Sequence, residues 1–270
     1  MDVAKAKNII IVVLLVFNIL LLYNNIMRGE AQAVSKDVTK STEQILMAKG
    51  VKLECEIPGD TNGINRLRYS NVPLDRQQLI KKFMGAGFLS SENAKVFESE
   101  DGVLEFVDDN NISYVNKKPK LKLDLKSNNA IKKAAKTFLR AKGLWENRFI
   151  IDKLVSNKDG SVYISFIEEY NDLLIFDNYC NITMTPEGNI KLFYGKHQII
   201  EFSTEVEDLV YAHQALLSYF KQDNYNSTIT DIDIGYKIPK DENQTDNESS
   251  EMSPVWRIKV RNVDDPLYLD

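Results

Sequence analysis

Cysteine and histidine are nearly missing from this chain, with two of each in 270 residues. Two cysteines cannot build the disulfide framework of a small secreted scaffold. Two histidines leave little for a zinc site or for imidazole general-base chemistry. Glycine is scarce at 12, which argues against a glycine-rich phosphate cradle. A positive balance is missing too: the formal net charge is -5. Beyond residue 40 there are 29 Lys/Arg against 36 Asp/Glu, a balance of -7. Nucleic-acid binders usually show a basic excess, so that class of partner is not expected. What is present is 43% hydrophobic and 27% charged residues. That excludes wholesale disorder and suits one large domain or two modest ones plus a tail.

The longest apolar run lies at the amino end, over residues 9–23, with Asn18 as its single polar interruption. Extended through Met27 it reaches about the 20 residues that cross a bilayer. Lys5 and Lys7 precede it, and Arg28 and Glu30 follow. The expectation is a single membrane anchor over 9–27, with 1–8 cytoplasmic and the rest of the chain extracytoplasmic. The competing reading is a signal peptide cut after Ala31-Gln-Ala33, a small-x-small site. The length of the run and the charged residues between Tyr23 and Ala33 weigh against cleavage. An amide facing lipid leaves its polar atoms unpaired, so Asn18 is expected to seek a neighbouring helix. Phe17 and Tyr23 are the accompanying contact residues.

Beyond the run, 31–48 holds good helix formers closed by Gly50, a juxtamembrane helix within 28–50. Residues 51–57 alternate apolar and charged, the pattern of a half-buried strand. A strand at 67–69 precedes a helix capped by Asp75 with Leu79, Ile80, Phe83 and Met84 inward. Short strands are expected at 95–98, 103–107 and 112–115. The lysine-rich stretch 117–126 alternates with Leu121, Leu123 and Leu125, so it reads as a strand with a solvated basic face.

From Ser127 the chain repeats itself. A helix to Gly143 carries Ile131, Ala134, Ala135, Phe138 and Leu139 inward, followed by strands at 149–155, 162–168, 181–185 and 189–194. Seventy-eight residues on, 212–217 falls over 134–139, in a helix expected to open with the capping box Thr204-x-x-Glu207. Residues 227–232 fall over 149–154. The polar stretch 239–253 reads as a mobile acidic loop, and strands resume at 255–260 and 267–269. The second unit then stops one turn and one strand short of the first, either by nature or because the chain is cut. The fold class is α+β: an N-terminal transmembrane helix, then an ectodomain of helix-plus-antiparallel-sheet units at 51–126, 127–202 and 203–270.

Few residues suggest chemistry. His213, mid-helix beside Leu209, Leu216 and Leu217, reads as a boundary or core histidine, and His197 as a solvated loop residue. The two lack the spacing and the glutamate of a zinc-protease helix. Glu168 and Glu169, adjacent in a strand, point to opposite faces. Asp231 and Asp233 share a face that reads as wet, Asp108-Asp109 falls in a turn, and Asp264-Asp265 is a further adjacent pair. Cys55 and Cys180 read as two separate thiols. No catalytic residue, cofactor or metal is expected. The rival class is a secreted or anchored cell-wall hydrolase or ligand-binding module.

The opening Met1-Asp-Val-Ala-Lys-Ala-Lys-Asn-Ile-Ile10 with its apolar run resembles the start of the YycI family, although Val3 stands where that family has an aromatic. The likeness continues at Ile45-Leu-Met-Ala-Lys-Gly-Val-Lys-Leu53, Leu67-Arg-Tyr69 and Pro254-Val-Trp-Arg-Ile-Lys259. Members usually run past the Tyr-Leu-Asp segment into a Thr-Gly-Glu-like turn. The resemblance implies α+β extracytoplasmic units shared with the sister protein YycH. It implies partnership with YycH and the sensor histidine kinase YycG (WalK), made partly through membrane helices, and no catalysis. A second copy of the ectodomain is a further candidate partner.

Overall fold

Local signals place most of the helices. The structure, a computed structural model, describes residues 11, 13–19, 36–59, 63–70, 72–85, 95–119, 122–221, 225–239, 250–263 and 265–270. The chain is mixed α+β and dominated by sheet, and it forms two compact units. The first unit takes residues 1–64, 208–232 and 256–270; the second takes 65–207 and 233–255.

In the first unit, residues 11 and 13–19 are helical and exposed. Helix α1 (Lys36–Ala48) follows and buries Leu46 completely. Gly50 ends it with φ of 81°, a left-handed conformation that glycine adopts without strain. Strand β1 (Val51–Leu53) pairs in parallel with the start of β11 (Ser227–Lys237), from Val51↔Ser227 to Leu53↔Ile229. The expected strand over 51–57 is therefore shorter: its ladder ends at Leu53, and Glu54 and Cys55 bend away. Helix α4 (Ala212–Tyr219) buries Ala212, Ala215 and Leu216. The end of β12 (Ser250–Val260) pairs antiparallel with β13 (Leu267–Leu269).

The second unit begins with β2 (Ile64–Ser70) and α2 (Arg76–Met84). Asp75 Oδ1 accepts from Gln78 N at 2.9 Å, the expected cap. Strands β3 (Val96–Glu98), β4 (Gly102–Phe106) and β5 (Asn111–Asn116) form an antiparallel meander. Helix α3 (Asn128–Lys142) starts where Ser127 Oγ accepts from Ala130 N and ends at left-handed Gly143. There Leu144 N donates to Leu139 O, a Schellman closure. The strands β6 (Phe149–Ser156), β7 (Val162–Tyr170), β8 (Leu173–Met184) and β9 (Ile190–Gly195) are antiparallel in turn. Asn171 and Asp172, both at positive φ, turn β7 into β8. Helices α2 and α3 lie on this sheet over a core that includes Phe83, Leu104, Ile112, Ile131, Leu139, Ile164 and Ile182.

Three expectations need correction here. Residues 204–207 do not open a helix: they lie in strand β10 (Gln198–Glu207). Arg66 Nε donates to Glu207 at 3.0 Å and Glu205 sits 3.5 Å from the same guanidinium, so the apparent capping glutamate serves a cross-strand ion pair. Helix α4 has Tyr211 at its N-cap position and no side-chain cap. Residues 250–253 are strand, pairing with β2 and burying Met252, so the polar stretch is shorter than 239–253; residues 240–249 lie outside the described residues. Residues 122–126 are not strand: the alternation survives as half-buried Leu123 and Leu125 against the core, but the segment is tied down by Leu123 N donating to Pro186 O, without a ladder. Lys120 and Leu121 lie outside the described residues.

Strands β6 and β11 start 78 residues apart, at Phe149 and Ser227, but their partners differ. β6 is antiparallel to β7, whereas β11 runs parallel to β1 and, at Gly235↔Leu174 and Tyr236↔Ile175, to β8.

Candidate functional site

The residues singled out in the apolar run come first. Phe17 and Asn18 are exposed and helical, and Tyr23 lies outside the described residues, as do 1–10 and 20–35. Asn18 Nδ2 donates to Leu14 O at 2.9 Å, one turn back along the same helix. That satisfies one amide hydrogen. Among the described residues the second hydrogen and the carbonyl oxygen have no partner. Ile11, Val13, Leu14, Leu15, Val16, Phe17 and Ile19 are each at least half exposed, so this helix is apolar on every side and packs on nothing described. No helix among the described residues is long and apolar enough to cross a membrane.

A polar cluster that the sequence did not announce lies in the second unit, where the sheet forks. One edge of β8 pairs with β9 over Tyr179–Met184 and with β11 at Leu174 and Ile175. Between them the β7–β8 register shifts: Ile167 faces Tyr179 while Glu168 faces Ile175, leaving Phe176, Asp177 and Asn178 as a bulge in β8. Two glycines admit the close approach. A Cβ on Gly195 would collide with Asn111 and Tyr179, and one on Gly235 with Leu174 and Phe176.

Polar groups stitch the fork. Glu168 is fully buried. Its Oε2 accepts from Asn178 Nδ2 at 2.7 Å and Lys196 Nζ at 2.5 Å, and Oε1 lies 2.9 Å from Arg148. Asn178 also donates to His197 O and accepts from His197 N, at 2.9 and 2.6 Å. Asp177 takes Lys237 Nζ at 3.0 Å and Ile238 N at 2.8 Å. The bulged residues thus hold both strands that leave the fork.

His197 is therefore buried, which corrects its reading as a solvated loop residue. Its ring meets Tyr69 edge-on at 5.3 Å, and Nδ1 has no hydrogen-bond partner. Burial pushes its pKa below the ordinary imidazole value, with Lys196 adding to the fall and Asp177 and Asp108 opposing it. The unfolded chain then takes up a proton at higher pH than the folded one, so stability falls as pH drops through about 6.5 and levels off below the folded pKa. The drop in urea midpoint from pH 7.5 to 5.5 is expected to be smaller in His197→Gln than in the unsubstituted chain. An equal drop in both would reject the assignment.

The remaining residues fall where chemistry is not assembled. His213 is half-buried, stacks on Tyr211 at 5.6 Å and has its pKa lowered by burial, as a boundary histidine should. Asp231 pairs with Lys259 at 2.9 Å. Asp108 Oδ1 accepts from the backbone amides of Asn110 and Asn111 in the β4–β5 turn. Cys55 and Cys180 are not joined in a disulfide, and burial raises the Cys180 pKa. No group of three or more His, Cys, Asp or Glu among the described residues could hold a metal ion. The charges at the fork are paired with one another, an arrangement that fixes strand geometry.

Residues 29–266 match the family model described as YycI protein. The chain belongs to the YycI family. This confirms the resemblance carried by the residues at 45–53, 67–69 and 254–259. Membership links the chain to regulation of the YycG/WalK two-component pathway, and the YycI family is regulatory rather than enzymatic and membrane-associated with the kinase. No curated protein sequence matches the chain significantly. Among solved structures, an uncharacterized protein from Eubacterium rectale is similar, with 9% identity and a TM-score of 0.49, over 87% of this chain and 94% of that one. The Bacillus megaterium YpeB C-terminal domain is similar at 14% identity and a TM-score of 0.37, over 72% of this chain and 90% of that one.

Proposed function

We propose that this YycI-family chain is a non-enzymatic, single-pass membrane regulator of a YycG/WalK-like sensor histidine kinase, acting through membrane-helix and ectodomain contacts. The observation that carries the reading is the family match over 29–266 beside an amino-terminal helix that is apolar on every side. In this reading residues 1–8 are cytoplasmic, 9–27 span the membrane and 28–50 lead outward. The helix-and-sheet units at 51–126, 127–202 and 203–270 form the extracytoplasmic part. A YycH-like sister protein shares the complex, and a second copy of the ectodomain is a further partner.

Asn18 is the proposed point of membrane coupling, with Phe17 and Tyr23 beside it. Interhelical polar contacts in membranes contribute about 0.6–2 kcal/mol, roughly 3- to 30-fold in association. Asn18→Leu should insert normally and weaken association with the kinase helices by that factor, read by energy transfer between labelled chains in vesicles. Exchanging 9–27 for an unrelated membrane helix should weaken it further and return kinase output to that of cells lacking the protein. If both variants insert, bind and regulate as before, coupling resides in the ectodomain. Turnover of peptidoglycan or peptide by the purified chain, abolished by one substitution, would favour the hydrolase instead.

A further inference from the structure

Helices α2 and α3 carry an unusual charge for an acidic protein. Within α2 stand Arg76, Lys81 and Lys82, and neither helix contains an acidic residue. Within α3 stand Lys132, Lys133, Lys136, Arg140 and Lys142. The helices are neighbours on one face of the second unit's sheet, and Lys142 Nζ donates to Lys82 O at 2.9 Å across them. Among the described residues, Lys81, Lys82, Lys132, Lys133, Lys136 and Arg140 form no ion pair with a carboxylate. The nearest acids in sequence stand outside the two helices: Asp75 caps α2, Asp124 precedes α3 and Glu146 follows it.

Several of these cations are held in place. Lys136 Nζ lies 4.4 Å from the centre of the Trp145 ring, Lys142 Nζ 4.7 Å from Phe83, and the Arg76 guanidinium 4.4 Å from Phe106. A cation over an aromatic face loses conformational freedom before any ligand arrives, which lowers the cost of binding. Placing like charges this close is unfavourable unless an anion relieves it, because each helix gains nothing from lysines one turn apart.

We infer that the outer face of α2 and α3 is a docking surface for a linear phosphate polymer, one outside the cell where the extracytoplasmic placement proposed above holds. Its length favours an extended ligand: α3 alone spans about 22 Å at 1.5 Å per residue. Its chemistry favours phosphate, since lysines meet phosphate as point charges without demanding one geometry. Interfacial membrane helices pair their cations with exposed apolar side chains that enter the bilayer. Neither α2 nor α3 exposes a large hydrophobic residue, so a solvated polymer fits better than a lipid surface. Single-stranded nucleic acid would want exposed aromatic stacking platforms, whereas Phe83 and Phe106 are buried beneath the cations.

The test uses the full chain in nanodiscs of neutral lipid, with inorganic polyphosphate as the probe. Binding is read by fluorescence anisotropy and by protection of Lys132 and Lys133 from acylation. With five cations engaged, affinity should fall about 100-fold between 50 and 200 mM salt. The triple variant Lys81→Glu, Lys132→Glu, Lys133→Glu alters only exposed side chains, and it should bind at least tenfold more weakly with a shallower salt dependence. Lys158→Glu, in the β6–β7 turn, should bind as the unsubstituted chain does. No binding at 50 mM salt, or unchanged binding by the triple variant, overturns the proposal. So does equal protection of the same lysines by phosphatidylglycerol nanodiscs without polymer, which would make the face a membrane contact. None of these readings depends on Asn18 or on the kinase, so failure here leaves the regulatory reading standing.

Discussion

Glu168→Ala is expected to cost about 3–5 kcal/mol of unfolding free energy, among the largest effects of any single substitution in the second unit. The carboxylate is fully buried and answers Lys196 and Arg148. Arg148 is nearly half exposed and can turn to water, but the Lys196 side chain is only 16% exposed and cannot. Alanine therefore leaves a buried ammonium without its counter-ion and one Asn178 donor hydrogen without an acceptor. Glu168→Gln should cost less, because an amide oxygen still accepts from Lys196 while the charge balance is lost. The double variant Glu168→Leu, Lys196→Met should recover much of the loss, since an apolar pair leaves no unpaired charge. Urea unfolding followed by circular dichroism measures all three. A Glu168→Ala chain within 1 kcal/mol of the unsubstituted one would show that water reaches this fork.

The elements that could be read from sequence are those with local causes. Asp75, Ser127 and Gly143 end their helices through bonds three to five residues long, and the sequence shows such signals directly. The meander of β3, β4 and β5 likewise follows from short alternating runs with turn residues between them. What failed depends on partners far away in sequence. Thr204-x-x-Glu207 has the spacing of a capping box, yet Glu207 answers Arg66, 141 residues distant. The hairpin at Asn171-Asp172 did leave a signal, two turn-forming residues between apolar runs, just before the long strand β8. The fork left none. Glu168 looks like any strand carboxylate until the register shift brings Asn178 against it. The basic face was hidden differently: its cations sit on two helices some 50 residues apart, within a chain of net negative charge. Only packing puts them side by side.

Trp256→Ala should be the corresponding test in the first unit, with an expected loss of about 3–5 kcal/mol. Trp256 lies in β12, is 1% exposed and is the bulkiest fully buried side chain. Two separate contributions meet in it. The indole fills core space, and Nε1 donates to Val210 O at 2.7 Å, fixing the segment that leads into α4. That segment has no side-chain cap at Tyr211, so the indole bond does part of the positioning that a capping serine or aspartate would otherwise supply. Trp256→Phe separates the two: it keeps much of the packing but removes the donor to Val210 O, at about 0.5–1.5 kcal/mol. Amide hydrogen exchange should then localise the difference. In Trp256→Phe the amides of Gln214 and Ala215, which bond Tyr211 O in the first turn of α4, should lose protection while the β12–β13 ladder keeps most of its own. Equal loss across both elements would mean that the indole acts through volume alone and that α4 needs no anchor at Val210.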